Sequence, residues 1–167
     1  VYAALDALWA ARHSSYDCDD ARGWMGEGSE PGRSGWKILG FGAIGQRVAD
    51  LLRPFSTTIR VYDPYCSDRR ILECGAQPSS LEDLLATSDV VSIHAGWTDE
   101  TVGMLGSHEL SLMRDGSLLV NTSRAQIVDE YALVGEVARG RLRAALNVYW
   151  EEPLAVDHPL RSLPNVI

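Results

Sequence analysis

Arg124 and Glu152 are the side chains in this sequence best suited to chemistry on a small anionic molecule. Arg124 follows Leu118-Leu-Val-Asn-Thr-Ser, an apolar run that reads as a strand, so its guanidinium emerges at a strand's carboxyl end. A planar, permanently charged fork there can hold a carboxylate and polarise an adjacent carbonyl. An ion pair with Asp129 is the plainer alternative at this spacing. Glu152 stands in Tyr149-Trp-Glu-Glu-Pro-Leu, just beyond a further strand expected over 144–149. Taken alone, it is one acid in a charged loop.

A second group of residues points to a nucleotide. Gly40-Phe41-Gly42-Ala43-Ile44-Gly45 lies between Trp36-Lys-Ile-Leu, a short apolar strand, and a helix expected over 43–52 with Ile44, Val48, Leu51 and Leu52 on one face. This is the strand-to-helix setting that the dinucleotide fingerprint requires. Gly40 permits the tight turn, Gly42 admits a pyrophosphate without a Cβ in the way, and Gly45 lets the helix pack closely. The positive end of the helix then faces the phosphates. Asp63, closing Thr57-Thr-Ile-Arg-Val-Tyr, supplies the acid that belongs about 20 residues further on. A carboxylate there accepts bonds from the adenosine ribose and repels a 2′-phosphate, which favours NAD over NADP. A packing turn with no ligand is the alternative for the glycines.

The elements that must position these residues alternate. Pro64 breaks the chain after Asp63, Ser80 caps a short helix, and Asp89-Val-Val-Ser-Ile-His is a β-branched run suited to a strand buried on both faces. Helices over 107–113 and 129–139, the latter stopped by Gly140, alternate with strands over 117–121 and 144–149. Such alternation predicts an α/β, Rossmann-type doubly wound parallel sheet with helices on both faces. His94, Thr122, Ser123, Arg124 and Asn147 all fall at or just past strand ends, where ligands bind in that architecture. Before the sheet, residues 1–13 read as an amphipathic helix and 14–35 as a Gly, Ser and Asp-rich loop. Residues 36–167 form the expected dinucleotide-binding domain.

Composition narrows the function further. With 167 residues the chain suits one domain with a real core, and its net charge of −8 provides no basic surface for nucleic acid. Cys18, Cys66 and Cys74 have no metal-ligand or CxxC spacing, so reduced thiols of a cytoplasmic protein, with no metal, are expected. No apolar run reaches the roughly 20 residues of a membrane span. The chain opens at Val1 inside an apolar-periodic segment, which suggests a piece of something longer.

Several runs together resemble one family. Ile38-Leu-Gly-Phe-Gly-Ala-Ile-Gly, Val61-Tyr-Asp-Pro, Leu81 to His94, Leu119-Val-Asn-Thr-Ser-Arg, Ile127-Val-Asp-Glu and Glu152-Pro-Leu occur in the order of the D-isomer-specific 2-hydroxyacid dehydrogenases. The resemblance covers nearly the whole chain and implies their NAD-binding domain, with the substrate domain and a C-terminal segment lying elsewhere. It implies hydride transfer between NAD(H) and a 2-hydroxy or 2-keto acid, in a homodimer. Arg124 would bind and polarise the substrate, and Glu152 would pair with a catalytic histidine. Ala43 and Ile44 would offer phosphate-binding backbone, and Asp63 with Pro64 would face the ribose. His94, Ala95, Gly96, Thr122, Ser123 and Asn147 would surround the nicotinamide half. Of the four histidines none matches the catalytic one; His158 falls in a turn before the last strand.

Three positions depart from the family's pattern. Asn147 stands where an aspartate is usual, Ala125 replaces a glycine after the arginine, and Gly96 replaces a proline. A non-enzymatic NAD(H)-sensing interaction module, like the corepressors on this fold, is the alternative function. A methyltransferase-type Rossmann enzyme is a third, which Arg124 and Glu152 disfavour.

Overall fold

The computed structural model describes residues 35–55 and 57–167. The leading helix, most of the loop after it, Trp24, His13 and Cys18 lie outside the described residues.

Six strands form one parallel sheet: β1 Gly35–Leu39, β2 Thr58–Tyr62, β3 Gln77–Pro78, β4 Val90–Ile93, β5 Leu118–Asn121 and β6 Arg143–Leu146. The spatial order is β3-β2-β1-β4-β5-β6, so the chain starts in the middle and winds outward in both directions. That is the Rossmann order, with its switch point beside β1. Five helices connect the strands: α1 Ala43–Leu52, α2 Asp68–Glu73, α3 Leu81–Ala86, α4 Ser107–Leu112 and α5 Glu130–Ala138.

Alternation along β1 divides the core. Ile38 packs with Val48, Ala49, Leu52, Ile59, Val61 and Ile71 on one face, whereas its neighbour Leu39 joins Leu84, Leu85, Ile93, Leu110 and Leu133 on the other. All four residues of β4 and all four of β5 are buried, as a strand covered on both faces requires.

Local chemistry accounts for the helix starts. The hydroxyls of Ser67 and Ser80 and the Asp129 carboxylate each accept a bond from a backbone N–H in the first turn of α2, α3 and α5. Gly140, at φ +73°, follows the end of α5. α4 and α5 are locked by Glu136, only 8% exposed, which binds Arg141 and Arg139. The Arg141 guanidinium also donates to the Leu110 and Met113 carbonyls.

The sheet and its winding are as expected, with three corrections in detail. The stretch after Pro64 holds α2 and β3, which sequence patterning missed because both are short and β3 is a two-residue edge strand containing Pro78. The inward face of α1 is Gly45, Val48, Ala49 and Leu52, while Ile44 is 54% exposed. The requirement that Gly45 face the sheet turns Ile44 outward. Finally, β6 ends at Leu146, not Tyr149. Asn147 N–H still bonds the Asn121 carbonyl at 3.1 Å, but β5 turns away there and leaves 148–149 without a partner strand.

Candidate functional site

At the carboxyl edge of the sheet, β1 runs into the glycine loop. Gly40 has φ +90°, and a Cβ on it would lie 2.4 Å from the Ala95 backbone nitrogen. A Cβ on Gly45 would lie 2.3 Å from the Gly40 carbonyl oxygen. These two glycines are therefore demanded by the fold. Gly42 differs, for nothing lies within 4 Å of where its Cβ would stand. The space beside it is open, and the start of α1 borders that space.

α1 also begins without a side-chain cap and without an acidic residue in its first turn, in contrast to α2, α3 and α5. Its early N–H groups, including those of Ala43 and Ile44, are left for an external acceptor. Open space, free donors and the positive end of the helix fit a dinucleotide's pyrophosphate.

Asp63 sits beside this cradle and is already engaged. Its Oδ2 accepts from Phe41 N–H at 2.6 Å, and its Oδ1 accepts from Tyr65 and Cys66 N–H at 2.8 and 3.2 Å. The carboxylate thus clamps the glycine loop to the loop after β2. Each oxygen has two lone pairs, so acceptor capacity for ribose hydroxyls remains. Pro64 is exposed in the turn that follows.

The loops after β4 and β5 meet next to Gly40. His94 N–H donates to the Leu39 carbonyl at 2.7 Å, and Ser123 Oγ donates to the Ala95 carbonyl at 2.5 Å. His94 Nε2 lies 2.9 Å from Ser92 Oγ, and burial pulls its pKa from 6.5 down to about 4. It is therefore a neutral imidazole at physiological pH, with one ring N–H and no imidazolium proton to give up. Gly96 is exposed, and its carbonyl accepts from Thr101 Oγ1 at 2.8 Å, which braces the turn.

This lowered pKa has a testable consequence. The unfolded chain takes up a proton on His94 near pH 6.5, whereas the folded one does so only near pH 4. Stability is complete above pH 6.5 and is lost as pH falls toward 4, by at most about 2 kcal/mol between pH 7 and 5. Urea unfolding at pH 7 and 5 should show a smaller difference in His94→Asn than in the parent. Equal differences would mean that His94 titrates normally.

Arg124 is exposed at the end of β5. Its Nη1 bends back to the Ser123 carbonyl at 2.7 Å, and among the described residues it makes no ion pair. The alternative pairing with Asp129 does not form, because Asp129 Oδ1 caps α5 by accepting from Ala132 N–H. Asn121, quoted above within a motif but given no role, positions this loop. Buried to 1% exposure, its side chain accepts from Ser123 N–H at 3.1 Å and donates to the Arg124 carbonyl at 2.9 Å. Thr122 is half-buried, and Ala125 is buried at the start of a 3-10 turn.

Glu152 and Asn147 line a cleft of about 440 Å³ at the carboxyl end of β6, with Tyr149, Leu154, Leu160 and Val166 among its walls. Glu152 Oε1 accepts from Tyr149 N–H at 3.2 Å, which leaves its other oxygen available. Trp150 Nε1 donates to the Val128 carbonyl at 2.8 Å and ties this loop to the segment that follows Arg124. His158 serves the same tie. Its Nε2 is 2.9 Å from Glu130 Oε1, and its Nδ1 accepts from Leu160 N–H, so it is not the partner of Glu152. No group of three potential metal ligands occurs among the described residues.

The family model of the D-isomer specific 2-hydroxyacid dehydrogenase NAD-binding domain matches residues 7–167. A glyoxylate reductase of Aeropyrum pernix is 47% identical over 132 residues, covering 78% of this chain and 39% of that protein. The crystal structure of a phosphoglycerate oxidoreductase from Vibrio cholerae superposes with a TM-score of 0.82 at 34% identity, covering 98% of this chain and 56% of that one. An NAD-dependent formate dehydrogenase from Staphylococcus aureus, solved with NAD, gives a TM-score of 0.76 at 32% identity, covering 98% and 48%. The chain therefore spans between two fifths and three fifths of these proteins' lengths.

Proposed function

Because the chain belongs to the D-isomer-specific 2-hydroxyacid dehydrogenases, as their NAD-binding domain, we propose that it holds NAD(H) for the interconversion of a 2-hydroxy acid and its 2-keto acid. The observation that carries this reading is the uncapped start of α1 beside the open space at Gly42, with Asp63 clamped to the same loop. When bound, the nicotinamide donates or accepts the hydride. Every other part of the chemistry falls to the polypeptide.

In this reading Arg124, which makes no ion pair among the described residues, takes the substrate carboxylate in its fork and stabilises charge developing on the keto oxygen. Glu152 accepts a hydrogen bond from a catalytic histidine supplied from beyond this domain, and its charge raises that histidine's pKa. The imidazolium then gives its proton to the keto oxygen during reduction. The backbone around Ala95, Gly96, Thr122 and Ser123 walls the nicotinamide half, and Asn147 offers its amide oxygen to the carboxamide. Neutral His94 lends shape and a polar edge.

We assign 36–167 to the dinucleotide domain and 1–35 to an interdomain helix and loop, with the substrate domain in the remainder of the parent protein. A small keto or hydroxy acid as substrate, a cytoplasmic location and homodimer formation belong to the same reading, which involves no nucleic acid and no membrane. Among the described residues no helix is long and apolar enough to cross a membrane. No observation favours the sensing-module alternative, and the relatives reported above carry the names of enzymes.

Calorimetric titration tests the cofactor assignment. NAD should bind at least about tenfold more tightly than NADP, about 1.4 kcal/mol, because a 2′-phosphate would sit beside the Asp63 carboxylate. Asp63→Ala should narrow the gap chiefly by weakening NAD. Equal dissociation constants for the two cofactors in the parent chain would remove the argument.

A further inference from the structure

The residues immediately after Asp63 carry no positive charge, yet the fold ties one to the same glycine loop. Arg70, on α2, donates from Nη2 to Gln46 Oε1 at 2.9 Å. Gln46, on α1, donates from Nε2 to the Phe41 carbonyl at 2.9 Å, and Phe41 N–H is the group held by Asp63 Oδ2 at 2.6 Å. A relay of side chain and backbone thus runs from the guanidinium, through the glycine loop, to the ribose-facing carboxylate.

From this arrangement we infer that Arg70, steered by Gln46, forms a latent 2′-phosphate site at the adenosine end of the cofactor cradle, which Asp63 suppresses. The inference rests on the cofactor reading above and concerns its specificity.

Three observations support it. Arg70 has no strong acidic partner: Glu73 Oε2 is 3.9 Å away, and Glu73 Oε1 is taken by Arg69 at 2.9 Å. Its side chain is 56% exposed, so its remaining N–H groups are accessible to a ligand. The Cys66 thiol, whose own N–H is bonded to Asp63, has its pKa raised first by burial and then by Asp63, with Arg70 pulling the other way, so it feels both charges. Acid and base thus flank the short segment between β2 and α2. With Asp63 charged, a phosphate there is repelled before it reaches the arginine. With that charge gone, a dianion meets a guanidinium already oriented by a hydrogen bond, the geometry that arginine serves best.

The test is a set of titrations of the chain with NAD, NADP and 2′,5′-ADP. Asp63→Asn keeps the side chain's size and one accepting oxygen while removing the charge, and gives up the loop bonds of the other oxygen. It should tighten NADP and 2′,5′-ADP by about tenfold or more relative to the parent. Adding Arg70→Gln should reverse most of that gain while leaving NAD within about twofold. In the parent, Arg70→Glu should weaken 2′,5′-ADP more than it weakens NAD. The tightening in Asp63→Asn should also fade at high salt. Circular dichroism of each variant reports whether it is folded.

Two results would overturn the inference: a gain in NADP affinity that survives Arg70→Gln, or a folded Asp63→Asn with no gain at all. A parent chain that binds no dinucleotide would instead sink the cofactor reading, so the two failures are separable.

Discussion

Gly42→Ala should leave the protein folded yet weaken NAD by about a hundredfold, roughly 2.7 kcal/mol, whereas Gly45→Ala should damage folding and binding together. At Gly42 the backbone is extended, with φ −67°, and an added Cβ meets nothing within 4 Å. Folding should therefore lose less than about 1 kcal/mol, the modest difference between Gly and Ala at an N-cap. The same methyl group would occupy the space through which a pyrophosphate approaches the N–H groups of α1. Charge-assisted bonds to such donors are worth about 1.5–3 kcal/mol each, so displacing one or two accounts for the loss.

At Gly45 the methyl group would lie 2.3 Å from the Gly40 carbonyl oxygen and 3.3 Å from Ile38 Cγ2. Backbone must move to relieve it, at about 1–3 kcal/mol of overpacking. Urea unfolding and NAD titration on both variants give the four numbers required. If Gly42→Ala binds NAD like the parent, the pyrophosphate does not cross that glycine.

The second large effect is an absence of turnover. This chain should bind NADH but reduce no 2-keto acid, whereas a parent protein carrying the proposed substrate domain should do so. Hydride transfer needs the keto carbon held against the nicotinamide, and orientation of that kind contributes roughly 7–11 kcal/mol, which an edge open to water cannot supply. A missing proton donor costs a further hundredfold or more. Among the described histidines, His94 is held neutral beside Ser92, His158 is bound to Glu130, and His108 is exposed on α4. None is bonded to Glu152.

NADH oxidation should be followed with glyoxylate, pyruvate, hydroxypyruvate and longer 2-keto acids, for the chain and for the parent protein. Turnover by the chain that is abolished in His158→Ala would reassign the acid to His158. A parent protein that binds NADH but leaves every acid unchanged would support the sensing module.

Sequence by itself determined the parts of this protein that depend on local rules. The glycine loop and Asp63 were legible because a tight turn, an open helix start and a ribose acceptor each demand a residue type at a set spacing. Buried strands β4 and β5 announced themselves as near-continuous apolar runs, and Ser80 marked a helix start by its capping chemistry. Arg124 was legible as a strand-end cation, although its freedom from Asp129 was not.

What only the tertiary structure decided involves residues distant in the chain. α2 and β3 are too short for periodicity to reveal, and β3 is a strand only because β2 offers it an edge. The outward turn of Ile44 follows from the contact of Gly45 with the Gly40 carbonyl, which no hydrophobic pattern encodes. Trp150 and Arg70 gain their roles across loops and neighbouring elements, through hydrogen bonds whose partners the fold alone brings within 3 Å. Hydrogen bonding between side chains and backbone is short-ranged and directional, so composition and spacing supply the groups while the packed sheet selects which of them meet.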